Sequence, residues 1–155
     1  MNPLTKLSFQ VEPLDARQPA VLALTPLLDG IPLTRLVDDF EKAQGFDAAG
    51  GYAGLVPAFY NFGALDFHFL ANPYEIDASS DWIWEYRYLL GCNCGELSCW
   101  PLVANVSKSS HIITWDGFLQ PHRRTRDYST FGPFHFRFEQ YKAAVHKVAK
   151  QFYDV

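Results

Sequence analysis

The stretch that decides the fold runs from Phe134 to Tyr153 and reads FHFRFEQYKAAVHKVAKQFY. Phe134, Phe136 and Phe138 alternate with His135 and Arg137, the period-two pattern of a strand with one buried face. From Phe138 the apolar positions move to Tyr141, Val145, Val148 and Phe152, the stripe of an amphipathic helix. Glu139 near its start and Lys147 and Lys150 near its end suit the helix dipole. A strand feeding a one-faced helix predicts an α+β domain in which the C-terminal helix covers a mostly antiparallel sheet.

Upstream, Trp82 to Leu90 sets Trp82, Trp84, Tyr86, Tyr88 and Leu90 against Ile83, Glu85, Arg87 and Leu89, a strand by alternation. Leu102 to Ser107 and His111 to Trp115 are two further β-rich runs, joined by Lys108-Ser109-Ser110 as a hairpin. Leu65, Phe67 and Phe69 alternate with Asp66 and His68, which predicts a strand from Ala64 to Leu70 ended by Asn72-Pro73. Near the start, Leu7, Phe9 and Val11 alternate with polar neighbours, and the apolar run Val21 to Leu28 closes on the turn dipeptide Asp29-Gly30. Leu33, Leu36, Val37 and Phe40 then predict a short helix from Thr34 to Gln44, with Thr34 as cap and Gly45 as the left-handed terminator. Asp38 and Lys42 form an i, i+4 pair on its outer face. The glycine- and aromatic-rich stretch from Gly45 to Gly63 reads as a structured loop packed over the core. Neither repeats nor a linker composition divides residues 1–155, so one domain is expected.

A 155-residue chain buries roughly 70% of its unfolded surface, and 48% hydrophobic residues with 16% aromatics are enough to fill such a core. The net charge of -4 and pI near 5.6 provide no global attraction for nucleic acid or an acidic membrane. The opening residues MNPLTKLSFQVEP resemble neither a signal nor a transit peptide, and no apolar run reaches the length of a membrane span. An odd number of cysteines without an export signal points to reduced thiols in the cytoplasm.

All three cysteines fall within YRYLLGCNCGELSCWPL, residues 86–102, as Cys92, Cys94 and Cys99. Thiolates are zinc ligands and nucleophiles, and the flanking Gly91 and Gly95 allow the chain to fold back so that sulfurs converge. A tetrahedral zinc site needs a fourth ligand, for which His122 or His111 is the candidate. A loop at the end of an antiparallel meander is expected to leave the sulfurs half exposed. One alternative is a thiol enzyme or redox sensor with a histidine base and arginines lowering the thiol pKa, in which Cys94 and Cys99 are the better-spaced disulfide pair. Three inert, buried thiols are the plainest reading, since cysteine is among the most buried residue types. A second cluster, His122, Arg123, Arg124 and Arg126, offers guanidinium forks for a small anion, although a solvated run pairing with Asp116 and Asp127 is the simpler use.

The segment GCNCGELSCWPL resembles a family of uncharacterised bacterial proteins that share Gly-Cys-x-Cys-Gly followed by a third cysteine. The similarity extends to Asp29-Gly30-Ile31-Pro32-Leu33, Gly51-Tyr52-Ala53-Gly54-Leu55, Ile113 to Phe118, Gly132-Pro133-Phe134 and Glu139-Gln140-Tyr141. It implies a bacterial, cytoplasmic source and transfers no catalytic residue. The functions in contention are a binding or structural module with a zinc-type site, a thiol enzyme or sensor, and a small-anion-binding protein.

Overall fold

The computed structural model describes residues 4–59, 63–70, 81–93 and 100–153. Strands β1 (Leu7–Pro13), β2 (Leu22–Leu28) and β3 (Ile31–Pro32) form one antiparallel sheet in chain order. Helix α1 (Leu33–Gln44) follows. A second antiparallel sheet holds β4 (Tyr52–Ala53), β5 (Trp82–Cys92), β6 (Leu102–Ser109), β7 (Ile112–Leu119) and β8 (Phe134–Arg137), also in chain order. Helix α2 (Leu65–Leu70) lies between β4 and β5 in the chain, and α3 (Phe138–Tyr153) closes it. The α+β class and the C-terminal helix are as the sequence patterns predict.

The two sheets are stitched together at both margins. Leu24 of β2 exchanges both main-chain hydrogen bonds with Leu55, at 2.8 and 2.9 Å, just beyond β4. On the other margin the Thr5 N–H donates to the His135 carbonyl of β8 at 2.7 Å. Pro26 is tolerated inside β2 because β3 pairs only with Leu27 and Leu28, so its missing N–H costs no rung. The β2 to β3 reversal places Asp29 at φ 51° and Gly30 at φ 80°, the pair of left-handed residues that a tight hairpin needs.

The predicted stripe of α3 covers the core. Phe138, Tyr141, Val145 and Val148 are buried, with Trp115, Phe136, Leu89 and Leu90 in the same core cluster. The polar tips in this core are satisfied: the Trp115 indole N–H donates to the Tyr141 hydroxyl at 3.1 Å, and that hydroxyl donates to the Phe69 carbonyl at 2.9 Å. Burial pushes the Tyr141 hydroxyl well above the usual tyrosine range.

Several expectations need correction. Residues 65–70 form a helix and not a strand: Leu65 and Phe69, four apart, are both fully buried while Phe67 is exposed. Over six residues Leu65 and Phe69 satisfy either period, and packing of Phe69 against Phe9 (ring centroids 5.2 Å apart) supports the helical choice. The expected Asn72-Pro73 terminator lies outside the described residues. At the start of α1 the N-cap is Pro32, with no side-chain cap hydrogen bond, so Thr34 does not serve as cap. The left-handed Gly45 terminator (φ 73°) and the Asp38 to Lys42 pair at 2.9 Å are present.

Strand β5 does not keep one alternation from end to end. Trp84 pairs with Val106 and Arg87 with Ala104, leaving one extra residue on β5, and Tyr86 takes φ 57° at this bulge. The bulge leaves Tyr86 exposed, and the Arg87 guanidinium lies 4.4 Å from the Trp84 ring centroid. The β6 to β7 hairpin turns at Ser110 and His111, with Ser109 opposite Ile112.

Two outcomes test this packing. A Cβ at Gly54 would stand 2.3 Å from the Leu24 carbonyl oxygen, so Gly54→Ala should destabilise the stitched margin by about 1–3 kcal/mol in urea unfolding. His68 of α2 is buried; its Nε2 lies 2.7 Å from the Tyr88 carbonyl, and its Nδ1 accepts from Arg87 at 2.9 Å. Because a guanidinium only donates, Nε2 carries the proton. Burial first, and the Arg87 charge after it, hold the ring down at about 4. The folded state therefore binds fewer protons than the unfolded chain, and stability present above the unfolded value of 6.5 is lost as pH falls through 4. An NMR titration of the His68 ring should show its midpoint near 4; a midpoint at or above the unfolded value overturns the assignment.

Candidate functional site

Glu41 stands on α1 one turn beyond Val37 and two beyond Leu33, on the face that enters the core, and all three side chains are fully buried. A lone carboxylate there would cost several kcal/mol, so donors must converge on it. They do. Its Oε1 accepts from the Gly50 N–H at 2.8 Å, and its Oε2 accepts from the hydroxyls of Tyr52 and Tyr128, each at 2.5 Å. The Gln120 side-chain amide donates to the Tyr52 hydroxyl and lies 3.5 Å from Glu41 Oε2. Burial, reinforced by hydrogen bonding to Glu41, pushes Tyr128 up to about 12 and raises Tyr52 further, so both hydroxyls stay protonated as donors.

Arg126 closes over this carboxylate, and Arg123 packs beside it on Gln120, Ala48 and Trp100. The backbone from Gln120 to Arg126 makes two successive turns, Arg123 N–H to Gln120 C=O and Arg126 N–H to Arg123 C=O. That three-residue spacing turns Gln120, Arg123 and Arg126 toward the protein and leaves His122 and Arg124 exposed. The Arg126 side chain is only 10% exposed; its Nη1 is 3.5 Å from Glu41 Oε1, and its Nη2 donates to the carbonyls of Asp47 and Ala48. Arg123 donates through Nε to Gln120 Oε1, reaches the Ala48 carbonyl through Nη1 at 3.5 Å, and lies over the Trp100 ring at 4.9 Å. Both guanidiniums thus converge on one carbonyl oxygen. Among the described residues Arg123 Nη2 and Arg126 Nη1 are buried without a hydrogen-bond acceptor, the latter because its 3.5 Å approach to Glu41 is an ion pair without hydrogen-bond geometry.

The expected pairing of the arginine run with Asp116 and Asp127 is not what forms. The carboxylate facing Arg126 is Glu41, and Asp127 instead accepts from the Ser129 N–H at 2.8 Å. A glutamate at a core position of the α1 stripe, four residues after Val37, is the sequence signal that could have identified this partner; the pattern of Leu33, Leu36, Val37 and Phe40 passes over it.

The thiol stretch comes to the same place. Tyr52 pairs with Cys92, and the Gly51 carbonyl accepts from the Asn93 N–H at 2.8 Å and the Trp100 indole at 3.0 Å. Cys94 and Cys99 themselves lie outside the described residues. Cys92 is not half exposed as expected but 2% exposed, with its thiol directed at Asn93 Oδ1 at 3.5 Å, because the extra length of β5 carries it into the sheet. His111 turns the hairpin at the end of β6 away from Leu102, which pairs with Leu90, so it lies about seven strand steps, roughly 23 Å, from that end of the sheet. Among the described residues no three His, Cys, Asp or Glu side chains are grouped to hold a metal, and no helix is long and apolar enough to cross a membrane.

Comparison of the chain with protein-family models, with curated proteins and with solved structures finds no match. The site must therefore be argued from its own geometry. Glu41→Ala strands two tyrosine hydroxyls, the Gly50 N–H and the Arg126 guanidinium, and should cost about 3–5 kcal/mol in urea unfolding, the penalty for breaking a buried ion pair. A loss within experimental error would show that the network carries no stability.

Proposed function

We propose that the protein is a binding module for a small oxyanion, a phosphate or carboxylate group held by Arg123 with Arg126 beside it. The observation that carries this reading is the buried Nη2 of Arg123, which has no acceptor among the described residues. Unpaired buried guanidinium N–H groups cost free energy that an oxyanion recovers through short, charge-assisted hydrogen bonds. Glu41, the carboxylate facing Arg126, already accepts from one backbone N–H and two hydroxyls, and Arg123 is met only by the uncharged Gln120 and Ala48 oxygens. The Trp100 ring lies 4.9 Å from the Arg123 guanidinium, and with Nε and Nη1 already donating, Nη2 is the group left to bond an oxyanion.

This arrangement suits a single small group and not a nucleic acid. A duplex needs many phosphate contacts at physiological salt, and the exposed members of this cluster are Arg124 and His122 alone. The neighbouring cysteines remain candidates for zinc, and metal content measured on the same protein addresses them separately from the anion.

Calorimetric titration with inorganic phosphate should show saturable binding. Arg123→Lys keeps the charge but removes the fork, and should weaken binding about tenfold, or 1.4 kcal/mol. Arg124→Ala, which changes an exposed side chain, should leave it unchanged. Equal affinities for wild type and Arg123→Lys, or no binding of phosphate, sulfate or acetate by a folded protein, would overturn the proposal.

A further inference from the structure

The outer edge of β1 is occupied residue by residue, and then it stops. Along this strand the even-numbered residues turn their main chain toward β2, as Lys6 does in accepting from the Asp29 N–H and Leu14 in donating to the Val21 carbonyl. The odd-numbered residues face outward. Thr5 pairs with the backbone of β8. Leu7 is met by a side chain that imitates a strand: its N–H donates to Gln140 Oε1 at 2.9 Å and its carbonyl accepts from Gln140 Nε2 at 2.6 Å. Phe9 and Val11 come next in this outward set, and among the described residues the ordering of the sheet leaves β1 at its edge.

Beside that edge lies a groove of about 730 Å³ between β1 and α3. Phe9, Gln140, Ala143, Ala144, Lys147 and Val148 are among the residues that line it. The small Ala143 and Ala144 on the helix side keep the groove open next to the strand. An open strand edge with an apolar wall beside it is what an added peptide strand uses, main-chain hydrogen bonds supplying affinity and alternate side chains entering the groove.

We infer that the β1 edge at Phe9 and Val11 accepts an extended, acidic peptide segment of a partner protein as an additional strand between β1 and α3. Charge selects the acidic class. Lys6 and Lys147 line the groove against a single carboxylate, Asp29, whose Oδ1 already accepts from the Lys6 N–H at 2.9 Å. A second copy of β1, LSFQVEP, would bring only Glu12 to these lysines and would end its ladder at Pro13, which has no N–H.

The test uses the full chain and a blocked hexapeptide of alternating valine and glutamate, followed by amide NMR. On titration the Phe9 and Val11 amides should shift and become protected from hydrogen exchange, while amides of β7 stay unchanged. Val11→Pro removes an outward N–H that the β1 to β2 ladder does not use, so the fold should survive with its melting temperature little changed and peptide affinity should fall at least tenfold. Lys147→Glu should weaken the same peptide at least fivefold and leave its neutral valine-threonine counterpart unaffected. The inference is overturned if the peptide leaves Phe9 and Val11 unperturbed, if a folded Val11→Pro variant binds equally well, or if protection of these amides depends on protein concentration alone, which would identify a second copy as the occupant. Should Val11→Pro not fold, a peptide N-methylated at alternate amides gives the same decision: methylation of the edge facing β1 must abolish binding and methylation of the other edge must not.

Discussion

The buried carboxylate of Glu41 is the constraint on which the functional half of the molecule depends. A charge in the core of an aromatic-rich domain survives only where donors surround it, and here the donors come from Gly50, Tyr52, Gln120, Tyr128 and Arg126. These belong to two stretches, 47–52 and 120–128, that are distant from each other in sequence and are also joined directly by the arginine bonds to the Asp47 and Ala48 carbonyls. The carboxylate therefore acts as a joint. It sets the position of the loop after α1, and it provides the counter-charge that lets Arg126 be nine-tenths buried. Arg126 in turn bonds the carbonyls of Asp47 and Ala48, and Ala48 holds φ 58°, a conformation costing roughly 1–2 kcal/mol for a residue with a Cβ. The guanidinium bonds offset that cost, so the strained backbone and the charge network sustain each other.

Aromatic packing surrounds the same joint. Phe40 of α1 stacks on Tyr128 at 5.7 Å and meets Phe131 at 5.1 Å, while Phe46 lies edge-on to Tyr128 and beneath Arg126. The rings exclude water from the carboxylate and strengthen its hydrogen bonds in a low local dielectric. From here the chain of contacts runs through Phe131, Phe118 and Phe134 to β8, and so to the margin where Thr5 ties the two sheets. Stability of the site and closure of the fold are thus coupled through one aromatic row.

Local pattern revealed the elements and only part of the site. Where a period persists over many residues, as in α3 and through Trp82 to Trp84, sequence and structure agree, because burial of one face leaves no other solution. Short or interrupted segments are different. Leu65 to Leu70 has too few residues for its period to discriminate helix from strand, and the bulge at Tyr86 depends on how β6 passes beneath β5, a non-local fact. The arginine run was visible as a cluster, yet its partner was assigned to the nearest carboxylates, Asp116 and Asp127. Proximity in sequence misleads here because Gln120 to Arg126 is wound in three-residue turns that aim two arginines inward. The anomaly that pointed to the true partner was an acidic residue on an apolar helical stripe, and a charged residue in such a position is a demand for buried donors elsewhere in the chain.

That demand also reconciles the net charge of -4 with the anion site proposed above. Charges on the exposed surface act across water and are screened within about 8–10 Å at physiological salt, so the global excess of carboxylates repels an approaching anion only weakly at short range. Within the site Arg126 faces a carboxylate that is already saturated with donors, while Arg123 meets only the uncharged oxygens of Gln120 and Ala48. The low dielectric that makes Glu41 dependent on its donors makes the unfilled N–H of Arg123 equally in need of an acceptor. Long-range repulsion disfavours a polyanion, which would lie along the acidic surface, while short-range hydrogen bonding favours one compact group at the end of a guanidinium fork. The same burial that stabilises the fold thereby bears on the size and charge of the ligand proposed for the site.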